Sequence, residues 1–283
     1  MKQVPEAITN TKKTGSDRQR EHYDVIHDAY EDHYYDEYSM SYRKKHIFAP
    51  LFNGLTLENK TIAELACGNG ATSKELLRTF PSVDVLGFDI SAPACKAYEQ
   101  EVGRPCYELD LTSDTPPTNC CDIAVVVGGL HHCVCDLPNT IKNIASMVKP
   151  NGYLLMVEPN ADFLLEFIRK RWYKADHYFD DETEKALSHE ELMKIGRHWF
   201  KCVDIKYKGG PGYFLILNSL LFRLPKWAKR LIARPLIFID SLYDVLPFKM
   251  ASPFFIARWQ RLEGVESSSG STSNARAEGD TRC

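Results

Sequence analysis

Between Thr61 and Asp89 two apolar runs are joined through a turn of small residues, and the second run ends in an acid. The first reads Thr61-Ile62-Ala63-Glu64-Leu65-Ala66, the turn Cys67-Gly68-Asn69-Gly70, and the second Val83-Asp84-Val85-Leu86-Gly87-Phe88-Asp89. Two short apolar runs separated by a helix-length segment predict a strand, a tight turn, a helix and a second strand. Gly68 and Gly70 lack a β-carbon, so the turn tolerates positive φ and lets a ligand approach the backbone closely. Thr72 or Ser73 is placed to cap the helix, whose amino end favours negative charge. Asp89, 21 positions after Gly68, falls where the second strand ends. A carboxylate there can take both hydroxyls of a ribose. Turn and acid together predict a site for an adenosine-bearing ligand.

The text that follows keeps alternating strand and helix, which argues for a parallel α/β sheet. Strands are expected at Thr61–Ala66, Val83–Asp89, Pro105–Leu109, Asp122–Val127, Tyr153–Glu158, Cys202–Tyr207 and about Ser252–Trp259. The unbroken run Ile123-Ala124-Val125-Val126-Val127 suits a strand covered on both faces. Helices are expected over Ser73–Phe80, after a cap near Ser91 with Pro93 in the first turn, and over Leu137–Val148. Lys149-Pro150-Asn151-Gly152 reads as a turn, and Ser188-His189-Glu190-Glu191 as a capping box opening a helix over Leu192–Phe200.

The ends differ in character. Residues 1–20 are polar and read as a flexible arm, and residues 263–283, rich in Ser, Gly and charge, as a disordered tail. Residues 21–60 are aromatic and charged, with Tyr23, Ile26, His27 and Tyr30 on one helical face, and are expected to form a helical lid. Arg43 in that segment is expected at the solvated surface, with a contact to a carboxylate of the bound ligand as the alternative reading. The chain of 283 residues carries a net charge of −3, which offers no footprint for nucleic acid. Nine cysteines show no regular framework and no apolar signal segment opens the chain, so a cytoplasmic protein with reduced thiols is expected. His131, His132, Cys133 and Cys135 are too close in sequence to converge on one tetrahedral ion, so no metal is expected.

The dinucleotide fingerprint Gly-x-Gly-x-x-Gly is incomplete, because its third position is Ser73. A dinucleotide-dependent oxidoreductase or epimerase is therefore the less favoured alternative; a catalytically silent cofactor-binding protein is another. Glu64-Leu65-Ala66-Cys67-Gly68-Asn69-Gly70 resembles the first motif of the class I S-adenosylmethionine-dependent methyltransferases, with Glu64 where an aspartate is commoner. Asp122 through His132, ending Gly128-Gly129-Leu130-His131-His132, resembles that family's fourth motif. The resemblance covers about Thr61–Glu158. It implies a doubly wound, mostly parallel, Rossmann-like sheet of seven strands in the order 3-2-1-4-5-7-6, with a final antiparallel strand. It implies S-adenosylmethionine as cofactor and Glu64, Ala66, Gly68, Gly70, Asp89, Ile90, Asp110, Leu111 and Gly128 as its binding residues. It also implies a low-molecular-weight acceptor, lipids and quinones included. His131 and His132 are the candidate general bases, since a neutral imidazole can take a proton from an acceptor hydroxyl. Glu158 either faces the acceptor or bonds the following loop.

The methyltransferase domain is expected over residues 61–262, with cap insertions at about 160–187 and 213–250. From Tyr213 to Leu262 the chain carries Arg223, Lys226, Lys229, Arg230, Arg234, Lys249, Arg258 and Arg261 against Asp240 and Asp244 alone. Leu220, Leu224, Trp227 and Leu231 share one helical face there, and Arg223, Lys226, Arg230 and Arg234 another, with Pro225 as a kink or first-turn residue. Two readings stay open: an apolar face packed on the sheet, or a peripheral membrane contact through 213–250 serving a lipid or isoprenoid-like acceptor.

Overall fold

The computed structural model describes residues 35–167, 185–218, 224–245 and 248–263. The expected arm, the Tyr23–Tyr30 stripe and almost all of the tail lie outside the described residues. In chain order the elements are α1 (Glu37–Arg43), a π-helical turn (Lys44–Phe48), α2 (Ala49–Phe52), β1 (Thr61–Leu65), α3 (Ala71–Thr79), β2 (Asp84–Asp89), α4 (Ala92–Val102) and β3 (Cys106–Glu108). They continue with β4 (Cys121–Val127), a 3-10 turn (Leu130–His132), α5 (Leu137–Met147), β5 (Val148–Pro159), α6 (His189–Gly196) and β6 (Phe200–Lys208). A π-helical turn (Tyr213–Leu217), α7 (Lys226–Tyr243), a 3-10 turn (Lys249–Ala251) and β7 (Phe254–Arg261) close the described chain.

The strands form one seven-stranded sheet in the order β3-β2-β1-β4-β5-β7-β6, as the resemblance implied. β7 runs antiparallel to both β5 and β6, and the pairs among β1 to β5 are parallel. Alternation along β4 builds a core on each face. Ala124 and Val126 join Ile141 and Ile144 of α5, Leu192 of α6 and Trp259. Ile123 and Val125 join Tyr42, Phe48 and Leu51 of the amino-terminal helices, Leu76 of α3, and Ile216 and Ala233 of the cap. The described part of the lid is thus core as well as cover.

Three local expectations are corrected. Lys149–Gly152 is not a turn between helix and strand: Cys121 pairs with Val148 and Ile123 with Tyr153, so the helix ends at Met147 and the four residues bulge out of a continuous β5. Ser188 is the N-cap of α6 but makes no capping bond; its hydroxyl instead lies 3.4 Å from Asp162 Oδ2. Neither Thr72 nor Ser73 caps α3, because Gly70 holds that position in a left-handed conformation and Glu64 supplies the acceptors. At Ser91 the expectation holds, its hydroxyl accepting from Ala94 N at 3.4 Å with Pro93 in the first turn.

Candidate functional site

Each of β1 to β5 runs to the same edge of the sheet, and the sequence places one polar or glycine feature just beyond or at each end. Across the sheet these are Asp110, Asp89, Gly68, Gly128 and Glu158, following the strand order. In open α/β sheets the ligand crevice lies outside these strand ends, on either side of the first strand.

The turn after β1 is left-handed at three alternate residues, Ala66 (φ 50°), Gly68 (φ 51°) and Gly70 (φ 76°). Glu64, buried in β1, accepts from Thr72 N at 3.2 Å and Ser73 N at 2.9 Å, so its carboxylate holds the first turn of α3 rather than facing outward. Burial raises its pKa, and those same N–H groups oppose the rise. The two glycines serve different ends. A Cβ on Gly70 would meet Val102 Cγ2 at 2.3 Å and the Tyr98 ring at 2.7 Å, so its bareness lets α4 pack. A Cβ on Gly68 would meet only the Tyr35 hydroxyl, 4.0 Å away. That face of the turn is the open one.

Asp89 ends β2 and accepts from Gly68 N at 2.9 Å and Ser91 N at 3.0 Å, tying the turn to the second strand. Ile90 follows it, half-buried. Asp110 Oδ1 accepts from both the backbone N (2.8 Å) and hydroxyl (2.6 Å) of Thr112. Leu111 is buried in the core and its carbonyl accepts from Asn143 Nδ2 at 2.9 Å. Gly128 takes φ 71°, and a Cβ there would lie 3.8 Å from His131 Cε1. Gly129 has no such room, since its Cβ would meet that of Ala66 at 2.7 Å.

Glu158 is buried at the end of β5 and bonds the loop after β4, accepting from Gly129 N (3.0 Å), Leu130 N (2.8 Å) and His131 N (3.3 Å). Its Oε2 also lies 2.8 Å from His131 Nδ1. Burial pushes the Glu158 carboxyl up to about 7, and the loop N–H groups and His132 pull the other way. With the carboxylate ionised, Nδ1–H donates and Nε2 is the basic nitrogen. The His132 ring sits against that of His131, centroids 4.0 Å apart.

Three residues beside the turn are not among those expected to bind the cofactor; for Arg43 that contact is the alternative reading and solvent the favoured one. Arg43, expected in solvent, is 7% exposed, and its guanidinium lies over the Tyr35 ring, 4.9 Å from the centroid. Tyr35 in turn reaches Gly68. Asn69 Oδ1 is buried without a hydrogen-bond partner among the described residues. Nothing in the spacing of a lid helix points at a turn 25 residues downstream; the position of Asn69 between two glycines was the signal available for it.

Sheet order and strand-end site together define a Rossmann-like enzyme domain of the methyltransferase kind. The chain belongs to the methyltransferase domain family, whose profile matches residues 34–199, and it is an S-adenosylmethionine-dependent methyltransferase. An S-adenosylmethionine-dependent methyltransferase from Thermotoga maritima shares the fold at a TM-score of 0.58 and 15% identity, over 85% of this chain and 98% of that one. One from Archaeoglobus fulgidus matches at 0.54 and 17%, over 83% and 99%. A cyclopropane synthase from Mycobacterium tuberculosis matches at 0.53 and 14%, over 76% and 82%. No curated protein matches the chain in sequence.

The residues present fit the family's cofactor. The open face of Gly68 leaves backbone accessible, and the orphaned Asn69 Oδ1 is an acceptor of the kind an ammonium group would satisfy.

Proposed function

We propose that the enzyme methylates a hydroxyl of a small, lipid-like acceptor, with His131 as general base. The observation that carries the reading is the 2.8 Å contact between Nδ1 of His131, three residues beyond Gly128, and Glu158 Oε2. S-adenosylmethionine supplies an already activated sulfonium methyl. Asp89 would hold its ribose, Asp110 with Ile90 and the Leu111 backbone its adenine, and Gly68, Asn69 and Arg43 its amino-acid end. Glu64, Ala66 and Gly70 contribute by shaping the turn. Gly128 leaves space beside His131, where reacting groups can be aligned and water excluded.

Glu158 fixes the tautomer and orientation of His131, so that Nε2 accepts the hydroxyl proton and the imidazolium formed is stabilised by the carboxylate. The acceptor is read as lipid-like because α7, basic and apolar on its exposed side, lies between the end of β6 and the start of β7, which pairs with the end of β5 beside Glu158. The test is turnover with methyl-labelled cofactor on a panel of amphiphilic alcohols, phenols and amines. His131→Ala should lower turnover by about 10²-fold with cofactor affinity kept, and His132→Ala much less. Full activity of His131→Ala at neutral pH would leave alignment as the main catalytic device.

A further inference from the structure

Helix α7 is apolar on two faces. Ala233, Ile232, Leu236 and Ile237 pack on the core with the buried charges Lys229 and Asp240 beside them, while Trp227 is 70% exposed, Leu231 69%, Phe238 62% and Leu242 59%. Both buried charges are answered. Lys229 pairs with Asp36 and donates to Ser39 Oγ at 3.0 Å. Asp240 accepts from the Tyr42 hydroxyl at 2.7 Å and from the backbone N of Gly210, Gly212 and Tyr213. These bonds and that packing hold the helix in the rotation that turns Trp227, Leu231, Phe238 and Leu242 to solvent. A contiguous exposed apolar face of this size marks an interaction site, so a covering surface is expected.

Charge says which surface. Lys226, Arg230 and Arg234 form an exposed row, one residue before Trp227, Leu231 and Pro235 respectively. Arg230 and Arg234 also line a cleft of about 590 Å³ between α7 and α1, together with Glu37, Tyr38 and Ser41. The acids of the helix end, Asp240 and Asp244, are engaged with the protein, Asp244 by His46 Nδ1 at 2.8 Å and Gly209 N at 2.9 Å. Past the helix, Phe248 and Met250 are again exposed, and Tyr243 bonds Ala251 O at 3.0 Å, which keeps that turn beside the end of α7. No described helix is long and apolar enough to cross a membrane. An apolar face with tryptophan at one end and a basic row alongside is the composition that lies in a bilayer interface.

We propose that α7 docks the enzyme on the surface of an anionic phospholipid bilayer, with Trp227, Leu231, Phe238 and Leu242 in the interface and Arg230 and Arg234 on phosphate headgroups. The cap leaves β6 at Lys208 and re-enters β7 at Phe254, paired with each other and with Pro159 beside Glu158. Docking there sets the sheet edge that carries the site toward the membrane, and so names the source of the acceptor. It deepens the lipid-like reading above, but vesicle binding is measured without cofactor or acceptor, so the two fail separately.

The test is sedimentation of the full chain with phosphatidylcholine vesicles, with and without phosphatidylglycerol. Binding is expected only with the anionic lipid, and is expected to fall sharply at about 1 M salt, where the Debye length is about 3 Å. Arg230→Glu and Arg234→Glu should each weaken it on the order of ten-fold, and Phe238→Ser should weaken it at any salt. Each variant should keep the rise in melting temperature given by S-adenosylhomocysteine, which reports an intact fold. A chain that stays in the supernatant at low salt overturns the proposal. So does equal binding to neutral vesicles, or a dimer in sedimentation velocity that Phe238→Ser dissociates, which would assign the face to a second copy.

Discussion

Glu158 Oε2 lies 2.8 Å from His131 Nδ1, while Oε1 accepts from Gly129 N and Leu130 N at 3.0 and 2.8 Å. One buried carboxylate therefore sets both the path of the loop after β4 and the tautomer of the histidine on it. The arrangement resembles a base and its orienting acid more than a structural ion pair, because the loop it holds follows β4, the strand beside β1 and its Gly68 turn.

Glu158→Gln is expected to keep the contacts of Oε1 and to present an amide N–H₂ to His131 Nδ1. That favours the tautomer with hydrogen on Nε2, which is no base. Turnover should fall by about 10²-fold with cofactor affinity nearly unchanged. In the parent enzyme, kcat/KM should rise with pH through an apparent value near 7 that belongs to the pair, and Glu158→Gln should remove that limb. An unaltered pH profile in the variant would assign Glu158 to the loop alone.

Stability should run the other way with pH. The folded-state value of Glu158, about 7, lies above its ordinary 4.5. The stability this carboxyl contributes is therefore complete below pH 4.5 and lost as pH rises through about 7. Melting temperatures across that window should fall in the parent relative to Glu158→Gln. A difference that stays constant with pH would contradict the burial argument.

Asp89 has one oxygen on Gly68 N and the other on Ser91 N. Asp89→Ala removes both anchors and the acceptors a ribose would use, and should weaken S-adenosylmethionine binding by about 1–3 kcal/mol. Calorimetry showing unchanged affinity would take Asp89 out of the cofactor site.

Gly68 and Gly70 should separate cleanly. Gly70→Ala forces a methyl into Val102 and Tyr98 at a left-handed position, so it should destabilise by roughly 2–4 kcal/mol and lower the melting temperature of the cofactor-free protein. Gly68→Ala carries only the left-handed penalty, and its methyl points at the site near Tyr35. It should blunt the stabilisation by S-adenosylhomocysteine more than it lowers the melting temperature itself. Equal effects on both readouts for the two variants would refute the division of roles.

Asp240→Ala strands the Tyr42 hydroxyl and the buried backbone N–H groups of Gly210 and Gly212, while Tyr213 N keeps its second acceptor, Gly210 O at 3.1 Å. With about 1–3 kcal/mol for each unsatisfied group, a loss of at least roughly 3 kcal/mol is expected, seen as a lower denaturation midpoint. A midpoint within error of the parent would mean that α7 is not held by this knot.

The residues of the candidate site were nameable from the sequence because each group of them is local. The turn from Glu64 to Gly70, the acid closing β2 and the run ending in His131-His132 each lie within one strand-turn unit, where residue type and spacing carry the chemistry. The alternation of strands and helices gave the parallel core for the same reason. The roles within the turn were not legible. Glu64 differs from Asp89, and Gly70 from Gly68, only in what their atoms meet: Glu64 the N–H groups of α3 and Asp89 those of Gly68 and Ser91, Gly70 the side chains of α4 and Gly68 the open face.

What the amino-acid order determined by itself is the set of elements and the strand-end chemistry, because both rest on contacts a few residues apart. What the tertiary structure decided is the orientation of parts far apart in the chain. Periodicity marked an amphipathic helix near Trp227 and Leu231 but could not say which face turns inward. The answer lies in Lys229 meeting Asp36 and Asp240 meeting Tyr42, 193 and 198 residues away. Those two pairs join Ile232, Ala233, Leu236 and Ile237 in fixing the inward face, and so leave Trp227, Leu231, Phe238 and Leu242 on the outer one.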